Sequence, residues 1–359
     1  MPTNYYPILK TTIAEMRALK NISKKEWANI TPILELTKSR KSKNNQECDV
    51  YKKIEEIIDT VRSDSLILDI TSIESLSNEQ IDSFQVEDNG FSNWCDFINE
   101  IKRSKKINIT PVMLSYPDSD LGNLLQEIDS LCSSEGRVAI RIPILETGLE
   151  DLFDNIKMIL ISRTSLISHI IFDLEFVDEK VNDVSGIVHL INNFCGHVPD
   201  GFTGELVIAS SSFPASALDR LEKNDDKYDN NFSLHTLKLY SDIIFHLKNK
   251  WKSFHFPFGD YACIHPFRNE SKAYNWIPRI DYPTVDTIFF SRRKREDNGY
   301  IECAKNIVVL NEFRGDTLSC WGMDEIKNTS NGKPGGLSPS YWISVRSNIH
   351  MSRMSLINC

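Results

Sequence analysis

Several things this chain does without narrow its class. Its eight cysteines, spread over 359 residues, never form a Cys-x-x-Cys pair. Structural zinc needs close ligand pairs, and a disulfide framework belongs to short secreted chains. Cys48, Cys95, Cys132, Cys195, Cys263, Cys303, Cys320 and Cys359 therefore read as reduced, mostly buried thiols of a cytoplasmic protein. Apolar runs such as Ile170–Phe172 fall far short of the roughly 20 residues a spanning helix requires, so no membrane association is expected. Met1–Lys10 is polar and aromatic, without the charged and then apolar regions of a secretory leader. Positive charge is not in surplus either. A net charge of -9 disfavours nucleic acid as a partner held by phosphate attraction, while leaving room for a local basic groove.

The familiar catalytic signatures are absent too. Neither Gly-x-Gly-x-x-Gly nor the Walker pattern occurs, which removes the usual nucleotide-binding open sheets. His-x-His, His-Glu-x-x-His and the Gly-x-Ser-x-Gly elbow are missing, so zinc hydrolysis and serine nucleophilic catalysis lack support.

What is present is an alternation of short apolar runs with longer stretches of helical periodicity. Strands are predicted at Tyr6–Lys10, Ile30–Leu36, Leu66–Ile70, Ile107–Leu114, Arg137–Ile142, His169–Glu175, Glu205–Ser210 and Phe254–Asp260. Between them, sets such as Tyr51, Ile54, Ile57, Ile58 and Val61, or Leu121, Leu124, Leu125, Ile128 and Leu131, recur at helical spacing. Strands rich in Ile, Leu and Val without strict alternation suit a sheet covered on both faces. Strands alternating with helices imply parallel βαβ units. Eight such units are what a (β/α)8 TIM-barrel-like core requires, with an open doubly wound sheet as the competitor. The barrel is expected over residues 1–261. A C-terminal extension, residues 262–359, is expected to pack on it, because Trp276, Trp321 and Trp342 are too apolar to leave in water.

In such a barrel, chemistry sits at the C-terminal ends of the strands. Those ends carry Lys10, Glu35, Asp69, Arg141, Asp173 with Glu175, Ser211 within a serine run, and Asp260 with Tyr261. Burying charge costs several kcal/mol unless it is paired, so these residues point to one shared polar cluster. Glu35, Asp69, Asp173, Glu175 and Asp260 are the catalytic candidates: the first four could hold a divalent cation through oxygen ligands, or two of the carboxylates could divide acid and base roles. Lys10, Arg141, Ser211, Tyr261 and His350 are the ligand-binding candidates, with Arg141 suited to a bidentate clamp on phosphate or carboxylate. The plainer alternative is that Arg141 simply neutralises its acidic neighbours. Two basic segments, Lys38–Lys43 and Arg292–Arg295, are candidate contact surfaces. The Gly-, Pro- and Asn-rich stretch 328–340 reads as a loop, and the tail around Trp321, Trp342 and His350 as either a lid over the mouth or a packing device.

The chain resembles the beta protein family, found in T-even bacteriophage and in many bacteria. The resemblance rests on Tyr6 with Pro7-Ile8-Leu9-Lys10, then Glu15 and Ala18-Leu19, and Thr31-Pro32-Ile33-Leu34-Glu35. It continues at Phe258-Gly259-Asp260-Tyr261-Ala262, at Trp321-Gly322 with Asp324 and Ile326, and at Trp342 with His350. The family's Lys-x-Lys-x-Gly-Glu form reads Lys10-Thr11-Thr12-Ile13-Ala14-Glu15 here. The resemblance implies a link to phage biology or bacterial conflict and no particular reaction. Three functions stay in view. One is a component of a phage-related or anti-phage defence system that recognises a ligand or protein partner at the barrel mouth. A second is a barrel enzyme acting on a phosphodiester or nucleotide, with a divalent cation as its expected cofactor. The third is an assembly protein without an active site.

Overall fold

The computed structural model describes residues 5–43, 45–63, 65–105, 108–133, 136–178, 183–222, 226–267 and 276–357. Among the described residues there are eleven strands: β1 (Tyr5–Lys10), β2 (Ile33–Leu36), β3 (Leu66–Ile70), β4 (Ile109–Pro111), β5 (Val138–Pro143), β6 (Ile167–Phe176), β7 (Glu205–Ser211), β8 (Asp229–Ser233), β9 (Phe258–Asp260), β10 (Arg279–Pro283) and β11 (Thr287–Arg292). Eight of them form one parallel sheet in the order β4-β3-β2-β1-β9-β7-β6-β5. A parallel bridge between Val112 and Ala139, with Met113 N–H donating to the Ala139 carbonyl at 2.8 Å, joins the two edges and closes the ring. The core is a (β/α)8 barrel.

Where strands come out shorter than the sequence suggests, proline is nearby. Pro32 and Pro257 have no N–H to give a ladder, and β2 and β9 begin just after them, at Ile33 and Phe258, leaving Ile30 as an isolated bridge partner of Tyr5. Ile107, expected to begin the fourth strand, lies outside the described residues. The segment 328–340 is only partly a loop, since Asn328–Ser330 finish the helix Trp321–Ser330 and Pro339 opens the helix Pro339–Met354. Pro339 is tolerated there because the first helical N–H has no partner to lose.

Strand alternation separates the barrel's two faces. Ile8, Ile33, Ile67, Val112, Ala139, Ile171, Val207 and Ala209 pack with Tyr6 and Tyr261 into an inner apolar cluster. Their neighbours along each strand pack outward against the helices in the main core. Gly259 belongs to the inner face, where a Cβ would stand 3.0 Å from Ala209 Cβ and 3.0 Å from the Tyr6 carbonyl oxygen. At the N-terminal end of the barrel, Tyr6 hydroxyl donates to Glu205 and meets His169 Nε2 at 3.3 Å.

Beyond β9 the chain builds a second core. β8, which leaves the barrel after β7, joins β10 and β11 in an antiparallel sheet. Ile280, Tyr282, Tyr300, Trp342, Val345 and Ile349 are among the residues packed there. The helix Pro339–Met354 serves both cores: Val345 and Ile349 face the second, while Met351 and Met354 belong to the first. It lies beside the helix Ile13–Lys20, where Asn348 Nδ2 donates to the Ala18 carbonyl at 3.1 Å, and so fills the place of an eighth barrel helix. No described helix is long and apolar enough to cross a membrane.

Candidate functional site at the barrel mouth

A polar layer sits immediately above the inner apolar one, two residues further along each strand. Ile8 is followed by Lys10, Ile33 by Glu35, Ile67 by Asp69, Ala139 by Arg141 and Ile171 by Asp173. Because side chains on one face recur every second residue, all five charges enter the barrel mouth together.

Arg141 is the hub. Its Nε donates to Asp173 Oδ2 at 2.9 Å, and Nη1 reaches Glu35 Oε1 and Asp69 Oδ2, both at 2.8 Å. Nη2 donates to Asp173 Oδ2 at 2.7 Å and to the Tyr261 hydroxyl oxygen at 2.9 Å. A guanidinium has five N–H donors, and each finds an acceptor here. Tyr261 in turn donates its hydroxyl to Asp173 Oδ2 at 2.6 Å. Lys10 Nζ lies 3.1 Å from Glu35 Oε2 and donates to the Pro266 carbonyl at 2.7 Å. Its backbone N–H is held by Glu15 Oε1 at 2.8 Å.

The carboxyl groups differ in their electrostatics. Burial pushes Glu35 up, but Lys10 and Arg141 outweigh it and hold the group below its usual range. Burial raises Asp69, and the repulsion of Glu35 adds to it despite Arg141. Glu175 is likewise raised, by burial and then by Asp173. Burial and Asp173 raise Tyr261 well above the ordinary phenol range, so it stays protonated and donates. Arg141 lies well above its usual value, since Tyr261, Asp173, Glu35 and Asp69 together overcome the effect of burial.

Glu175 stands apart in its backbone. The β6–β7 register shifts between Asp173 and Phe176, and Glu175 adopts φ 50°, in the left-handed region. Its N–H is fixed by Asp173 Oδ1 at 2.8 Å. Its side chain has no hydrogen-bonding or ion-pair partner among the described residues. A non-glycine residue in this conformation costs about 1–3 kcal/mol and persists only where the surroundings enforce it. The bulge places Glu175 on a 270 Å³ pocket whose wall also includes Glu35, Asp69, Arg141 and Asp173. Ser72, Gln85, Ser115 and Tyr116 complete its polar rim.

Three expected site residues are elsewhere. Asp260 follows the inward Gly259 and so faces outward, accepting from Tyr5 hydroxyl at 2.7 Å and pairing with His350 Nε2 at 2.5 Å. His350 thus lies behind the barrel wall rather than over the mouth, and the tail around it packs the last helix in place. Ser211 Oγ donates to the Ile264 carbonyl at 3.0 Å and accepts from Phe213 N–H at 3.2 Å, bracing the turn after β9. The expected cation site is also altered: the Arg141 guanidinium fills the space between Glu35, Asp69 and Asp173. Among the described residues no group of three or more His, Cys, Asp or Glu side chains is arranged to hold a metal ion.

The Arg292–Arg295 run is not one continuous patch. Arg293 pairs with Asp229, Lys294 lies 3.9 Å from Glu296, and Arg295 stacks 3.9 Å from the Trp276 ring centroid. In the Lys38–Lys43 segment, the Lys38 and Ser39 N–H groups bond the Leu76 and Cys48 carbonyls.

Comparison with known proteins places the chain. A family model described as Beta protein matches residues 5–355. The chain belongs to the Beta protein family. A curated relative, Protein beta of Enterobacteria phage P4, is 28% identical over 361 residues, covering 98% of this chain and 92% of the relative. Among solved structures, CbXyn10B in native form matches 72% of this chain and 84% of its own at TM-score 0.42 and 9% identity. An endo-1,4-beta-xylanase from Caldicellulosiruptor owensensis matches 72% and 88% at TM-score 0.40 and 11% identity. Likenesses this distant carry no argument about chemistry. For this Beta protein family member the sequence reading missed the rim residues Ser72 and Gln85. Both lie in the segment after β3, where no periodic signal marks them.

Proposed function

We propose that this Beta protein family member is the ligand-recognising component of a phage-related or anti-phage defence system, acting in the cytoplasm through the mouth of its barrel. The observation that carries the reading is the unpartnered Glu175 carboxyl, held in a strained backbone conformation on the wall of the mouth pocket. Arg141 has no donor left for a phosphate, and four carboxyl groups surround two cations, Lys10 and Arg141. The mouth therefore offers acceptors, and it suits a ligand that donates hydrogen bonds or carries positive charge, such as an amine, a guanidine or a polyol. The partner is then a small molecule or the basic tip of a protein loop.

Glu175→Gln keeps the shape and removes the charge, and Glu175→Gly releases the left-handed strain. Both variants are expected to unfold within about 1 kcal/mol of the parent or slightly above it, since a strained, unpaired side chain contributes little to stability. Thermal-shift titrations with spermidine, agmatine and glucose should show a saturable rise for at least one probe, lost in both variants. Phage plating on cells expressing the chain should change, and the change should vanish with Glu175→Gln. Binding that survives both substitutions would remove the mouth as the recognition site.

One observation favours the enzymatic alternative. Asp69 and Glu175, both raised above the usual carboxylate range by burial, face one pocket and are placed to divide acid and base roles. Turnover of a bound ligand, abolished by Glu175→Gln with binding retained, would establish it.

A further inference from the structure

A second pocket, of 190 Å³, opens between the outer sheet and the last helix, remote in sequence from the barrel mouth. Arg279, Arg292 and Arg346 line it together with Trp276, Tyr300 and Trp342. Among the described residues Asp281 is the one carboxylate in its wall, and it is already shared. Arg279 approaches it with Nε at 2.9 Å and Nη2 at 3.0 Å, and Arg346 Nη1 donates to its Oδ2. Among the described residues Arg292 Nη1 donates to a backbone carbonyl, that of Lys227, at 3.1 Å. Among the described residues, three guanidinium groups thus face a single negative charge.

Arg346 is 4% exposed, and its Nε is buried with no hydrogen-bond partner among the described residues. Leaving a buried charged donor unsatisfied costs more than leaving a neutral one. Burial pulls Arg346 below its usual range in spite of Asp281, with Arg279 adding to the effect. Burial and Arg279 do the same to Arg292. Positive charge is therefore held here against desolvation and mutual repulsion, and a bound anion is what relieves both. Planar guanidinium forks match phosphate oxygens in particular.

The aromatic lining adds a second requirement. Tyr300 and Trp342 stack with centroids 5.3 Å apart and close the floor. The half-buried Trp276 has Arg295 over its ring at 3.9 Å, which fixes the indole as a platform for another flat ring. The volume lies below the roughly 300–1,000 Å³ of a drug-sized pocket, so it encloses a phosphate and one ring edge and leaves a sugar in solvent.

We propose that this pocket binds a mononucleotide, its phosphate on Arg279, Arg292 and Arg346 and its base against Trp276. The site is independent of the mouth. The test is calorimetric titration of the full chain with AMP, adenosine and inorganic phosphate at two salt concentrations. AMP should bind saturably and more weakly at high salt, with adenosine and phosphate each at least about tenfold weaker. Removing one charge-assisted contact by Arg292→Gln should weaken AMP about 10- to 100-fold. Trp276→Leu should weaken AMP and leave phosphate unchanged, and Glu175→Gln should leave AMP binding intact. Arg292 and Trp276 are only half-buried, so both variants are expected to fold, which circular dichroism verifies. The proposal fails if AMP does not saturate at millimolar concentration, or if its binding survives Arg292→Gln. It fails equally if Glu175→Gln abolishes AMP binding, or if phosphate matches AMP and Trp276→Leu changes neither.

Discussion

His350 is where a single residue ties the last helix to the barrel. Its imidazole, 4% exposed, meets Asp260 behind β9, and Asp260 also holds the Tyr5 hydroxyl and the Ala262 N–H. Burial pushes His350 down, but the Asp260 carboxylate outweighs it and, with Cys263 adding, lifts the group from 6.5 to about 10. A raised folded-state value means the pair stabilises fully below the unfolded imidazole's titration and is lost as pH climbs through the folded one. The urea stability gap between the parent and His350→Gln should thus be widest below about pH 6.5 and close towards pH 10. Asp260→Asn, which leaves a buried cation without its partner, should cost about 3–5 kcal/mol near neutrality. A gap that does not change with pH would show that the histidine is neutral in the fold. Arg141 is the corresponding residue of the mouth. Arg141→Met strands Glu35, Asp69 and Asp173 together and should also cost about 3–5 kcal/mol at pH 7, with part regained at low pH as the carboxyls protonate. Arg141→Lys should rescue little, because an ammonium has three donors where five are in use.

At the level of elements, the mouth cluster follows from parity. Each charge stands two positions after an inward apolar residue, so the strand reading brought Lys10, Glu35, Asp69, Arg141 and Asp173 together without knowledge of the fold. The same parity, followed through Gly259, turns Asp260 outward and Tyr261 inward. Treating the strand end as one unit hid that distinction. The Glu175 bulge was not legible, since a register shift depends on what the neighbouring strand offers. Among the helices, one close approach runs through Gly322. A Cβ there would stand 2.6 Å from both Ile349 Cγ1 and the Val345 carbonyl oxygen, and Gly322 N–H donates to Asn348 Oδ1 at 2.9 Å. Gly322→Val must push the helix Trp321–Ser330 off the last helix. An overpacking cost of about 1–3 kcal/mol is expected, read as a lower urea midpoint with an unchanged slope.

Considered as a whole, the barrel's outer core and the second core share one helix. Met351 and Met354 complete the barrel's outer layer, while Trp342, Val345 and Ile349 complete the second core. Unfolding should therefore be a single transition, coincident by far-ultraviolet circular dichroism and tryptophan fluorescence. Ending the chain at Ser338 should abolish that transition and expose apolar surface to dye, because the barrel loses its eighth covering helix. Two separate transitions in the intact chain would show that the cores are energetically independent.

The sequence by itself determined the repeating strand and helix units, and with them a parallel sheet with a charged layer at its strand ends. Those features depend on local periodicity and on the cost of burying charge, both of which are written along the chain. Closure into a barrel was decided by the bridge between Val112 and Ala139. Only the tertiary structure decided that all five donors of Arg141 are consumed within the mouth, that Glu175 is left unpaired among the described residues, and that His350 lies behind the wall. It alone gathered Arg279, Arg292 and Arg346 around one pocket, from two strands and a helix whose spacing in sequence carries no common period. Such contacts depend on how distant elements pack, and packing is settled by shape and by which buried groups find partners.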